Sequence, residues 1–220
     1  MRTPHQLSKL PETEAIFIDG PAGRLQALLE MPRTQEAGGA AVVCHPHPEH
    51  GGTLENKVVH TLARAFVAKG FAVLRFNFRG VGESEGVFDE GRGETADALA
   101  AVQEMRERYG GKDLWLAGFS FGAAIAIGAA AEVRADGLVS VAPAVSRVSG
   151  GDIPQPGCPW LIIQGDEDEL VPVGDTIEWV NGLEPGPDLQ IFPETGHYFH
   201  GKLVRLRNAV ETFIDANRSG

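Results

Sequence analysis

The chain has 220 residues, 43% of them hydrophobic and 22% charged, which suits one globular domain with a substantial core. A net charge of −11 excludes nucleic acid as an expected partner, because that affinity comes from Lys and Arg on phosphates, and it disfavours anionic membrane surfaces. The first twenty residues hold Pro4, Pro11, Glu12 and Glu14 without an apolar run, so no signal peptide is read there. No stretch is long and apolar enough to span a membrane. Cys44 and Cys158 lack paired spacing, and reduced thiols in a cytoplasmic setting are expected.

Strand-like and helix-like segments alternate along the chain. Ala15 to Asp19 and Arg24 to Glu30 read as strands joined in a hairpin by Gly20-Pro21-Ala22-Gly23. Ala40 to Cys44 is a short apolar strand, followed by a helix from Leu54 to Lys69 with Val58, Leu62, Ala65 and Phe66 on one face. Phe71 to Phe78 is a strand and Glu94 to Tyr109 a helix. Strand Leu114 to Ala117 precedes a helix ending near Ala135, then strands Leu138 to Val141 and Trp160 to Gln164. Thr176 to Asn181 is read as helical, Leu189 to Phe192 as a strand, and Lys202 to Ala216 as a closing amphipathic helix. This alternation predicts a mostly parallel sheet of about eight strands with helices on both faces, in a single domain spanning 1–220.

Between the strand at Leu114 and the Ala-rich helix stands Gly118-Phe119-Ser120-Phe121-Gly122. A serine at such a strand-to-helix turn is held in strained backbone geometry with its hydroxyl clear of the sheet. The glycines let the chain before it and the helix after it approach closely. A serine hydroxyl needs a positioned base, and the base needs an orienting acid. Parallel sheets place their sites at the carboxyl ends of strands. After the strand Trp160 to Gln164 come Asp166 and Asp168; after Leu189 to Phe192 come His197 and His200.

Ser, Asp and His in that chain order, each at a strand end, resemble the α/β-hydrolase family. The likeness runs from about Ala40 to Leu203 and includes His45-Pro46-His47-Pro48 with Gly51-Gly52, and Arg75-Phe76-Asn77-Phe78-Arg79-Gly80-Val81-Gly82 followed by Asp89-Glu90-Gly91. Within the family, the chain is similar to small bacterial members of unassigned substrate, laid out like dienelactone hydrolases and serine peptidases. A dienelactone hydrolase would carry cysteine where this chain has Ser120. The family spacing Gly165…Asp168…Val171-Pro172 implies Asp168 as the acid and leaves Asp166 to the turn; Gly196-His197 implies His197 as the base and puts His200 at the helix entrance. The resemblance implies two backbone oxyanion donors: Phe121, just after the nucleophile, and one in the loop after the third strand. Pro46 and Pro48 have no N–H, which leaves His47 there.

The same loop supports a rival reading. His45-x-His47-x-Glu49-His50 resembles the His-x-His-x-Asp-His signature of metallo-β-lactamase-fold hydrolases, in which such groups bind zinc. Glu49 replaces the Asp, and two prolines interleave the histidines. The glycines from Gly80 lack dinucleotide-binding spacing and resemble the family's Arg-Gly-x-Gly-x-Ser turn. Asp89, Glu90, Arg92 and Glu94 are expected to cap and charge the next helix. Ala142 to Pro159, where relatives carry a cap, is short and holds Gly150, Gly151, Pro154, Pro156 and Gly157. Little or no cap, and hence an open site, is expected.

The expected function is a serine hydrolase of small soluble acyl esters or thioesters that needs no cofactor. Peptidase or amidase action on the same triad is the alternative, and a non-catalytic binding module is the reading from a different class.

Overall fold

The computed structural model describes residues 12–33, 36–147 and 155–218. Its strands form one eight-stranded sheet in the order β1-β2-β4-β3-β5-β6-β7-β8. Strands β1 (Thr13–Gly20) and β2 (Gly23–Glu30) make an antiparallel hairpin closed over Pro21-Ala22, and β2 pairs antiparallel with β4 (Phe71–Phe76). From β4 onward all pairings are parallel, through β3 (Gly39–Cys44), β5 (Asp113–Phe119), β6 (Gly137–Val141), β7 (Trp160–Gly165) and β8 (Asp188–Phe192). The central strands are continuous apolar runs because helices cover both of their faces.

Two cores result. On one face α1 (Lys57–Ala68) and α5 (Leu203–Asn217) pack through Val58, Leu62, Phe66, Leu206 and Val210. On the other lie α2 (Arg92–Tyr109), α3 (Phe121–Val133) and α4 (Val173–Asn181). Helix α3 is apolar on every side, and nearly all of it is buried.

Element boundaries depart from the sequence reading where side chains intercept backbone groups. Helix α1 starts at Lys57, not Leu54, because the Asn56 side chain accepts from the N–H groups of Val58 and Val59. Strand β4 stops at Phe76: the Asn77 N–H still donates to Gln26 O on β2, but the Phe78 N–H leaves the sheet for the His45 ring. Helix α4 begins three residues early, at Val173, after Pro172. In the Arg79–Ser84 turn, Arg79 clasps buried Asp97 on α2 through two nitrogens, and Ser84 Oγ donates to Asn77 O. That turn is structural. Glu94 accepts the N–H groups of Asp89 and Gly91, so it caps α2 from within.

Between β6 and β7 the described residues carry one 3-10 turn, Val145–Arg147, and no capping helix; residues 148–154 of the expected open segment lie outside the described residues. Among the described residues no helix is long and apolar enough to cross a membrane. Because β3, β5, β7 and β8 run parallel, their carboxyl ends share one edge of the sheet, with Cys44 beside Gly118 and Gly165 beside Phe192.

Candidate active site

Ser120 sits at that edge with φ 57° and ψ −119°, a region that side chains with a Cβ rarely occupy. The strain persists because the surroundings fix both ends of the turn. The Ser120 N–H donates to Val141 O at 2.8 Å, and its carbonyl accepts from Ala123 and Ala144. A Cβ on Gly118 would lie 2.2 Å from the Gly122 carbonyl, and one on Gly122 would lie 2.2 Å from the His45 carbonyl. The two glycines thus allow β5, α3 and the loop after β3 to meet at van der Waals distance.

The His197 Nε2 atom lies 3.1 Å from Ser120 Oγ, and its Nδ1 lies 2.8 Å from Asp168 Oδ2 and 3.1 Å from Oδ1. His197 and Asp168 are 3% and 7% exposed, so this chain of hydrogen bonds is shielded from competing water. Asp168 is held from several sides. Its Oδ1 accepts the N–H groups of Leu170 and Val171 at 2.9 and 2.7 Å, and its Oδ2 accepts from Gln164 Nε2 at 2.9 Å. Burial works against its charge, but the hydrogen bonds from His197, Val171 and Leu170 outweigh it and hold the carboxyl below its ordinary pKa. In the tautomer that donates Nδ1–H to an ionised Asp168, Nε2 is the lone-pair nitrogen that faces the serine.

Three contacts here were not read from sequence. Gln164, fully buried on β7, donates to both Asp168 and the Val171 carbonyl, while its own Oε1 accepts from Thr176. Glu169 accepts the His197 backbone N–H at 3.2 Å. Asp166 Oδ1 accepts the Thr195 N–H, joining the two loops rather than touching His197. The only advance signal for Gln164 is a polar residue inside an otherwise apolar strand. His200 is exposed, in the turn before α5, beside Tyr198.

The loop after β3 carries the other expected group. His45 is buried with both ring nitrogens engaged: Nδ1 lies 2.6 Å from Pro46 O, and Nε2 accepts the Phe78 N–H at 3.0 Å. Burial lowers its pKa to about 4, against the opposing pull of the Pro46 carbonyl, so the ring is neutral. It therefore braces the loop rather than offering a metal ligand. His47 follows with φ −51° and ψ 124°; its Nδ1 accepts the Glu49 N–H, and its ring stacks on His50 and touches Phe121. Among the described residues no group of three His, Cys, Asp or Glu converges as a metal site. The His45-His47-His50 pattern is thus divided between a buried brace and a surface stack.

A cavity of about 120 Å³ opens beside Ser120, bounded by His47, His50, Gly51, Phe121, Leu170, His197 and Tyr198. At the start of α3 the N–H groups of Phe121 and Gly122 precede the first bond of the helix, which runs from the Ala123 N–H to Ser120 O.

Residues 35–156 match the family model for the serine aminopeptidases, S33. The chain belongs to this family. Its fold is that of the α/β-hydrolases, and it is a serine hydrolase of that class. It is similar to a lidless α/β serine hydrolase from Xanthomonas campestris, at 40% identity over 95% of this chain and 96% of the other, with a TM-score of 0.88. An α/β serine hydrolase homologue from Coxiella burnetii is 41% identical over 90% of this chain and 96% of its own, with a TM-score of 0.86. An uncharacterized protein of Rickettsia prowazekii is 33% identical, covering 90% of this chain and 87% of that protein.

Proposed function

We propose that the protein hydrolyses small acyl esters or thioesters through an acyl-enzyme. Ser120 attacks the acyl carbonyl, His197 Nε2 takes the hydroxyl proton and returns it to the leaving group, and Asp168 fixes the imidazole and stabilises its charged form. Water then repeats the sequence to release the acid. The observation that carries the reading is the hydrogen-bond path from Oγ to Nε2, at 3.1 Å, and from Nδ1 to a buried carboxylate, at 2.8 Å, on a strained elbow. A fluorophosphonate should label the wild type at Ser120 and leave Ser120→Ala unlabelled; no labelling of the wild type would favour a non-catalytic binding module.

The oxyanion is assigned to the backbone N–H groups of Phe121 and His47, two residues whose rings lie 5.0 Å apart. Two substitutions separate backbone from ring. His47→Ala keeps the N–H and is expected to lose less than about tenfold in kcat/KM. His47→Pro deletes that N–H while fitting the native φ of −51°, and is expected to lose about 10²- to 10³-fold, the scale of one oxyanion donor. Equal losses would move the role to the imidazole.

The family description favours aminopeptidase action as the second reading. Against it, among the described residues no carboxylate lines the 120 Å³ cavity, where the α-ammonium of a peptide substrate would need a partner. The small volume favours short, uncharged acyl groups. Short p-nitrophenyl esters should therefore be cleaved much faster than aminoacyl p-nitroanilides, and the reverse order would transfer the assignment to the peptidase reading. Leu170 and Val171 separate this cavity from a second one of about 380 Å³ that is walled by Pro143, Val145 and Trp179. Leu170→Ala should join the two and raise activity on hexanoyl relative to acetyl esters severalfold. Leu170 is 40% exposed, so the melting temperature should barely move.

A further inference from the structure

At the opposite end of the sheet, a cavity of about 610 Å³ lies between α1, α5 and the end of β2. Gly70, on its wall, immediately precedes β4, so the cavity opens where the parallel strands begin, whereas Ser120 stands where β5 ends. Three guanidinium groups line it: Arg33 after β2, Arg64 on α1 and Arg207 on the neighbouring α5, with His60 one turn before Arg64. In a chain of net charge −11, such a concentration of guanidinium groups in one concavity runs against the overall field.

Among the described residues the one carboxylate on the wall, Glu30, is neutralised from within, because its Oε1 accepts from the buried Arg75 Nε. Arg207 uses its Nε on Glu211, which leaves other N–H groups of the guanidinium for a further acceptor. His60 adds no charge to the wall: burial above all, and then the Arg75 guanidinium, lower its pKa against the pull of Glu30, with smaller opposing pulls from Arg64 and Glu55.

We propose that this cavity binds a small phosphate-bearing anion. Planar guanidinium groups from three separate segments match phosphate oxygens by paired hydrogen bonds, and Arg33 and Arg64 together with the remaining N–H groups of Arg207 suit a group with more than one negative charge. The volume falls in the range of small-molecule sites. Nothing in the assignment depends on the chemistry at Ser120.

The test is thermal unfolding of the full chain with pyrophosphate, with citrate, and with sodium chloride at matched ionic strength. Pyrophosphate at roughly tenfold its dissociation constant is expected to raise the melting temperature by about 3 °C or more. Arg64→Ala and the pair Arg64→Ala/Arg207→Ala should remove that shift. Arg92→Ala, which deletes an exposed charge outside the cavity, should keep it. Arg64 is exposed, so its single variant folds even if the pair does not. An equal shift with chloride or citrate, or an undiminished pyrophosphate shift in Arg64→Ala, overturns the proposal.

Discussion

Ser120→Ala is expected to lower kcat/KM on a short acyl ester by about 10⁴- to 10⁶-fold, the scale seen when the nucleophile of a serine triad is removed. The residual rate would come from binding and from the oxyanion donors alone. Ser120→Gly should be equally inactive, yet the two variants should differ in stability. At φ 57° and ψ −119° a Cβ costs on the order of 1–3 kcal/mol, and alanine keeps that atom whereas glycine does not. Glycine gives back about 0.5–1 kcal/mol through its freer unfolded chain. It is also the better residue at a helix N-cap, the position Ser120 occupies before α3. Ser120→Gly is therefore expected to unfold about 1 kcal/mol later than Ser120→Ala in urea. Equal midpoints with equal slopes would mean that the elbow stores no strain and that the serine is held only by its neighbours. The measurement separates two properties of one residue: a hydroxyl that reacts and a backbone held out of its preferred basin.

This elbow was legible in the sequence because its cause is local. Two glycines, a serine, an apolar strand and an Ala-rich helix occupy adjacent positions, and each constrains the next. The strand alternation was legible for the same reason, since continuous apolar runs such as those of β3 and β7 follow from burial on both faces. What escaped the sequence was set by contacts between distant segments. The stop of β4 depends on His45, 33 residues away, taking the Phe78 N–H. His45 looked like a candidate metal ligand until its two nitrogens were seen to be spent on Pro46 and Phe78. Glu169 reaches the His197 backbone across 28 residues of chain. Gln164 reads as one polar residue in a strand, and only the folded chain shows that it touches Asp168. The cationic cavity is equally invisible in one dimension, because Arg33, Arg64 and Arg207 come from three segments far apart in the chain.

Asp168→Asn tests that buried network, and its expected cost is double. The amide oxygen has one good place, at the Oδ1 position, where it accepts the N–H groups of Leu170 and Val171. Its NH₂ then falls at the Oδ2 position, facing His197 Nδ1 and Gln164 Nε2. Toward His197 it donates, so Nδ1 becomes the acceptor and the ring proton moves to Nε2. A protonated Nε2 has no lone pair for the Ser120 hydroxyl, and kcat should fall about 10⁴-fold although the heavy atoms hardly move. Toward Gln164 it sets donor against donor. Rotating the Gln164 amide does not escape this, because Nε2 also donates to Val171 O and Oε1 also accepts from Thr176. One buried donor is left unsatisfied, a cost of about 1–3 kcal/mol. The pH dependence of stability should change too. Asp168 is held below its ordinary pKa in the folded chain, so its contribution is present above the unfolded value near 3.8 and fades as pH falls through the lower folded value. The wild-type advantage over Asp168→Asn, taken from urea midpoints, should thus be full at neutral pH and shrink as acid is added. An advantage that stayed constant down to pH 3 would show that the carboxylate gains nothing from its charge, and would reduce Asp168 to a neutral hydrogen-bond acceptor for His197.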